Sequence, residues 1–279
     1  MLTNQYLIRK QQLASVFEDT MAQIKQSEEW MSAIDYSIHN QQFIPESAII
    51  SISNVPKADK PANIIVSRLR SFEAAAQYIG KRTAVLNFAS ATNPGGGVEK
   101  GASAQEECLC RVSTLYPCLA DQKMRASFYT PHRKNGNTLH NDDIIYTPKV
   151  LIIKDDDHNM LATPFLVDVI SCAAPNLREK PNNAYNSGDG NKVQISDNEL
   201  LALHEKRARK IFASAIANGV EVLILGAFGC GAFQNDPHIV AQAYKNVLPD
   251  FAHYFHTIEF AIFCNAKNIE NYQVFLSII

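Results

Sequence analysis

A chain of 279 residues, 46% of them hydrophobic, can bury a sizeable core as one large domain or as a domain with an extension, and it is too apolar to be a disordered segment. Its 26 basic and 28 acidic residues leave a formal charge of −2, which argues against the broad basic field of a DNA-binding protein. A polyanionic ligand would have to be held by local contacts. The opening MLTNQYLIRKQQ lacks a signal-peptide core, and no run approaches the roughly 18 apolar residues of a membrane span, so a soluble, cytoplasmic chain with no membrane partner is expected.

From about Asn4 to Asn40 the apolar residues Leu13, Val16, Phe17, Met21 and Ile24 recur at helical spacing, and Trp30, Met31 and Ile34 follow as a second apolar group. Ala48–Ile52 reads as a short strand before a Pro- and Lys-containing connection. The chain therefore divides into a helical accessory region, residues 1–62, and a main domain, residues 63–279. Asn63–Val66 reads as a strand, and Ser71–Ile79 as a helix stopped by Gly80.

The run Ala84–Ala89 has the length and composition of a buried strand and leads into Asn93-Pro94-Gly95-Gly96-Gly97, the only Gly triplet in the chain. Residues without Cβ let a backbone approach a ligand closely and visit positive φ at little cost. Ser103-Ala104-Gln105-Glu106 then has the form of a capping box, with Ser103 as the cap of a helix that begins QEE. Glu106 is open to two readings, helix cap or functional carboxylate. Glu107 either pairs with Arg111 one turn on or acts beside the glycines.

Beyond this corner, Asp121–Asn141 is polar and reads as a surface loop, whose His132-Arg133-Lys134 is either simply solvated or helps to hold phosphate. Ile144–Tyr146 and Val150–Ile153 read as strands separated by Pro148, and Phe165–Ala174 as a further strand. Asn182–Ser196 reads as a long connection, followed by a helix that Ser196 or Asp197 caps and Gly219 ends. The strand Glu221–Leu225 opens into GAFGCGAFQNDP. There Gly226, Gly229 and Gly231 form a loop, Asn235 and Asp236 are cap candidates and Pro237 starts a helix, an arrangement suited to an anion. Ile258–Phe263 completes the sheet, and the alternation of strands and helices predicts a three-layer α/β domain.

The six cysteines form no CxxC pair and no zinc spacing with the histidines, so they read as reduced, mostly buried residues. Cys230, between two glycines, is either packing or a ligand-loop thiol. Asp155-Asp156-Asp157-His158 does not make a metal site, because adjacent side chains on a turn do not readily converge on one ion.

Gly95-Gly96-Gly97, seven residues, then Gln105-Glu106-Glu107 resembles the signature of poly(ADP-ribose) glycohydrolases. The surrounding NFASATNPGGG and AQEECLCRVSTLY are similar to the compact microbial type. The resemblance continues through Ile145-Tyr146-Thr147-Pro148, Val167–Asn176 and Leu225–Phe233, in the expected order. It implies a macrodomain-like mixed sheet flanked by helices, no cofactor and no metal. It also implies cleavage of ribose–ribose bonds in poly(ADP-ribose), with ADP-ribose as product. Glu107 would be the acid/base, Glu106 would hold the ribose hydroxyls and Gln105 would support them. Gly95–Gly97, and Gly229, Cys230, Gly231, Ala232 and Phe233, would hold the diphosphate through backbone N–H groups, with Phe233 also packing on the distal ribose and Asn93 among the substrate-binding residues. Asn87 stands where a related branch has an acidic residue. A hydrolase of mono-ADP-ribosylated protein would use much the same pocket, and a binding-only module would lack a competent acid.

Overall fold

The computed structural model describes residues 2–181, 192–264 and 269–279. The helical N-terminal pattern resolves into α1 (Leu2–Gln26) and α2 (Glu28–Asn40), separated by Ser27, whose hydroxyl caps α2 by accepting from the Trp30 N–H at 3.3 Å. The first strand is β1 (Gln42–Ile44), paired antiparallel with Ile144–Tyr146. The strand expected at Ala48–Ile52 does not form. Gln42–Ile44 already occupies that sheet edge, and Ile49 beyond the Pro45 turn is 95% exposed.

Next come β2 (Asn63–Ser67), α3 (Ser71–Ala75), β3 (Thr83–Phe88), α4 (Gln105–Arg111), α5 (Leu115–Leu119), α6 (Gln122–Met124) and α7 (Thr130–Asn135). A π-helical turn, Arg125–Tyr129, joins the last two. These helices replace most of the surface loop expected over Asp121–Asn141, because Met124, Phe128 and Tyr129, spaced along one helical face, are buried in the core.

β4 (Ile144–Lys154) is one strand where two were expected. Pro148 lies in a bulge between Thr147 and Val150, and Lys149, at φ 54°, turns its N–H to Asp168 Oδ1 at 2.9 Å. β5 (Met160–Cys172), α8 (Asp197–Ala217), β6 (Val222–Leu225), α9 (Pro237–Phe251), β7 (Thr257–Ala261) and α10 (Glu270–Ile278) complete the order. Of the connection expected over Asn182–Ser196, residues 182–191 lie outside the described residues. Ser196 caps α8 in a reciprocal capping box with Glu199, and Gly219, at φ 69°, ends it.

The strands form one seven-stranded sheet in the order β1-β4-β5-β3-β6-β7-β2, parallel from β5 to β2 and antiparallel at the β1-β4-β5 side. The boundary at residue 62 falls between β1 and β2, the two outer strands of this sheet. Alternation along β3 sends Ala84 and Leu86 to one face, against Ile211, Phe212 and Tyr244 of α8 and α9. Val85 faces the other side, where Phe17, Phe72 and Leu109 of α1, α3 and α4 pack. The sheet is thus covered on both faces, and the C-terminal ends of β5, β3, β6 and β7 lie side by side, which is where open parallel sheets bind ligands.

Candidate active site

Gln105 joins α4 to the end of β3. Its Oε1 accepts from the Phe88 N–H at 2.8 Å, and its Nε2 donates to Leu86 O at 2.8 Å and Ser71 Oγ at 3.1 Å. The side-chain amide takes the place of a neighbouring strand's backbone, so the next two residues start from a fixed point.

The expected capping box is not made. Ala104 is the N-cap, without a side-chain bond, and the Glu106 carboxylate turns inward, accepting from the Ser90 N–H at 2.8 Å and Asn87 Nδ2 at 3.3 Å. Glu106 therefore lines the cleft and does not cap the helix. The one-turn pairing of Glu107 with Arg111 is also absent: the buried Arg111 guanidinium donates to Leu13 O at 3.2 Å and to Ala102 O, tying α1 to the turn before α4. Glu107 Oε1 accepts from the Gly97 N–H at 2.8 Å, while Oε2 has no hydrogen-bonding partner among the described residues. Gly96 makes this approach possible. At φ 58°, a Cβ there would stand 2.4 Å from Glu107 Oε1 and 3.2 Å from Glu106 Oε2.

Glu106 is 2% exposed. Burial first, then the neighbouring Glu107 charge, push its carboxyl well above the usual carboxylate range, against opposing hydrogen bonds from Ser90, Asn87 and Gly95. Asn87 Nδ2 also donates to Ser171 Oγ at 3.0 Å, and its Oδ1 is buried without a partner. An amide turned by 180° would present that oxygen to a protonated Glu106 and to the Ser171 hydroxyl, both of which can donate to it.

The second glycine loop differs from the first in what its N–H groups do. The N–H groups of Gly229, Gly231, Ala232 and Phe233 have no acceptor among the described residues, which leaves a nest suited to an anion. In the first loop, Gly96 and Gly97 donate inward, to Asn93 O at 2.9 Å and to Glu107. The diphosphate role expected for their N–H groups is thus corrected: those donors are already used in holding the loop and the carboxylate. Asn235 fixes the second loop and does not cap α9. Its Nδ2 donates to Pro175 O at 2.7 Å and Gly229 O at 3.1 Å, and its Oδ1 takes a bond of 2.9 Å from His204 Nε2. Asp236 is the cap, accepting from the His238 N–H at 2.8 Å.

These parts surround a cleft of about 540 Å³. Asn87, Gly95 and Cys230 lie outside its lining, and the other site residues expected from the sequence line it. His140, Asn176, Arg178, Arg70, Asp156 and Phe263 also line it and were missed. Arg178 stands two residues beyond the VDVISCAAPN block, which is a usable signal, and its guanidinium lies 5.7 Å from the Phe233 ring centre. The Arg70 guanidinium sits 4.0 Å from the Phe263 ring centre, close to Asp156, whose carboxyl burial pushes up to about 6. No local pattern marks these as partners. Of the basic trio, Arg133 donates to Thr92 O, and His132 is buried between Phe128 O and Asn141 Oδ1, each at 2.8 Å.

The fold and the cleft define a macrodomain-like α/β protein with a carboxylate pair and, at the same cleft, a glycine loop whose N–H groups are unpaired among the described residues. Residues 5–155 match the family described as the catalytic domain of microbial-type PARG, and the chain belongs to that family. Poly(ADP-ribose) glycohydrolase (PARG) from Thermomonospora curvata is 28% identical in sequence, with a TM-score of 0.83 over 96% of this chain and 100% of that one. The same enzyme bound to the inhibitor ADP-HPD gives 28% identity and a TM-score of 0.81 over 96% and 99%. PARG from Deinococcus radiodurans in complex with ADP-ribose gives 28% identity and a TM-score of 0.75 over 88% and 96%. No curated protein matches the sequence.

Proposed function

We propose that Glu107 is the acid/base of this poly(ADP-ribose) glycohydrolase, which hydrolyses ribose–ribose O-glycosidic bonds and releases ADP-ribose. The observation that carries this reading is the asymmetric setting of Glu107: one oxygen is anchored by the Gly97 N–H and the other, at the cleft, has no partner among the described residues. As the glycosidic C–O bond breaks, protonated Glu107 gives its proton to the leaving ribose hydroxyl oxygen, and positive charge develops at the anomeric carbon. Water then adds to that carbon and returns its proton to the Glu107 carboxylate. Adjacent helical residues diverge by about 100°, so Glu106 is poorly placed to act across the same sugar. Its inward-held carboxyl instead meets the ribose hydroxyls.

The free N–H groups of Gly229, Gly231, Ala232 and Phe233 suit the diphosphate, and the Phe233 ring suits the distal ribose. Gly95–Gly97 and Asn93 serve by leaving room beside the carboxylates. Residues 1–62 form an accessory region that braces the QEE corner through Arg111, and the six free cysteines fit a cytoplasmic setting.

Incubation with poly(ADP-ribose) and, separately, with a mono-ADP-ribosylated protein tests the substrate. ADP-ribose release from the polymer is expected. Release from the mono-modified protein alone would contradict this reading.

A further inference from the structure

His140 is held in the cleft wall with unusual firmness for a residue whose side chain bonds nothing among the described residues. Its backbone is left-handed, with φ 59°. The fully buried Arg207 of α8 fixes that conformation, donating to Leu139 O at 2.6 Å, His140 O at 3.1 Å and Ala173 O at 3.0 Å, while its Nε pairs with Asp142 Oδ1 at 2.8 Å. Sparsely populated backbone conformations persist where the surroundings over-determine them, and they cluster at ligand sites.

The ring is 9% exposed and stands 6.1 Å, centre to centre, from both Phe233 and His132. Nδ1 is sealed from solvent without a partner. Nε2 has no partner among the described residues either and is the nitrogen left for the cleft. Buried polar groups are nearly always hydrogen-bonded, so a fixed ring without a partner implies one from outside. Burial, with the charges of Arg207 and His132, lowers the imidazole to about 3, and the ring is neutral in ordinary buffers. A neutral imidazole suits a hydroxyl, which donates and accepts. The diphosphate oxygens are better served by the N–H groups of the Gly229–Phe233 loop.

We propose that His140 contacts the substrate, its Nε2 hydrogen-bonding a hydroxyl of the ribose that packs on Phe233 and so orienting the anomeric carbon toward Glu107. This rests on the reading of Phe233 as the ribose platform of a glycohydrolase. His140→Phe keeps a ring against Phe233 and His132 but removes both nitrogens. His140→Asn tolerates the left-handed backbone and restores one polar group. The account predicts that His140→Phe remains folded by circular dichroism and loses about 10- to 100-fold in kcat/KM on poly(ADP-ribose), with part of the loss recovered in His140→Asn. In the wild-type protein the His140 Nε2 nitrogen resonance should shift on saturation with ADP-ribose, a readout that does not depend on either variant folding. A resonance unmoved by bound ADP-ribose, or wild-type kcat/KM in folded His140→Phe, overturns the proposal. Wild-type protein that binds ADP-ribose with a shifted resonance yet releases none from polymer would instead overturn the glycohydrolase reading alone.

Discussion

Gly96 is where a single hydrogen in place of a side chain sets the chemistry, because a Cβ there meets Glu107 Oε1 at 2.4 Å and the backbone is left-handed. Gly96→Ala should cost about 1–2 kcal/mol of stability from the backbone alone. It should also lower turnover by about 10²-fold, the scale of a ~1 Å misplacement of a reacting group. Thermal melting and ADP-ribose release check the two effects separately. Glu106 makes a second prediction, through pH. Its carboxyl titrates, in the folded protein, above its ordinary value of 4.5. The stability linked to its bound proton is therefore fully present below the unfolded value and is lost as pH rises through the folded one. Glu106→Gln has no such loss: its oxygen can keep the Ser90 bond, and its amide can donate to Asn87 Oδ1 once the Asn87 amide is turned by 180°. The variant should match wild type near about pH 4 and exceed it by on the order of 1–3 kcal/mol near about pH 8. Urea melts at the two pH values check this, and an advantage confined to acid would refute it.

At the scale of elements, α1 is pressed against the turn that precedes the QEE helix. Gly101, at φ 70°, would place a Cβ 1.9 Å from Lys10 O, Arg111 reaches Leu13 O, and Thr20 Oγ1 donates to Arg111 O at 2.8 Å. A methyl group at residue 101 cannot be absorbed by a flexible side chain, because the atom it meets is backbone. Gly101→Ala should therefore destabilise by about 2–5 kcal/mol, combining left-handed strain with overpacking, and should open α1 to limited proteolysis. A normal melting temperature together with a protected N-terminus would show that α1 rests on this turn only loosely. The elements that sequence periodicity misplaced share a cause. Ala48–Ile52 has strand composition, but Gln42–Ile44 takes the place beside β4, and the π-helical turn Arg125–Tyr129 is polar by count yet seated by Phe128 and Tyr129.

Across the whole molecule, the α/β class and the QEE corner were legible because their signals are contiguous: one apolar strand, one glycine run, one helix start. What stayed illegible joins residues far apart in the chain. Arg111 bonds a carbonyl 98 residues away and Arg207 fixes a loop 67 residues away, and neither leaves a local pattern. The same limit left Glu106 open between cap and functional carboxylate, since only the fold shows Asn87 and Ser90 beside its carboxylate. The central claim, that Glu107 moves the proton, is tested most directly by ADP-ribose release from poly(ADP-ribose) by folded Glu107→Gln protein, with ADP-ribose binding measured by calorimetry on the same sample. The Gln side chain can keep the Gly97 hydrogen bond through its oxygen but has no carboxyl proton to give. The account predicts near-normal binding with hydrolysis down by about 10²-fold or more. Near-normal release by the folded variant would contradict it.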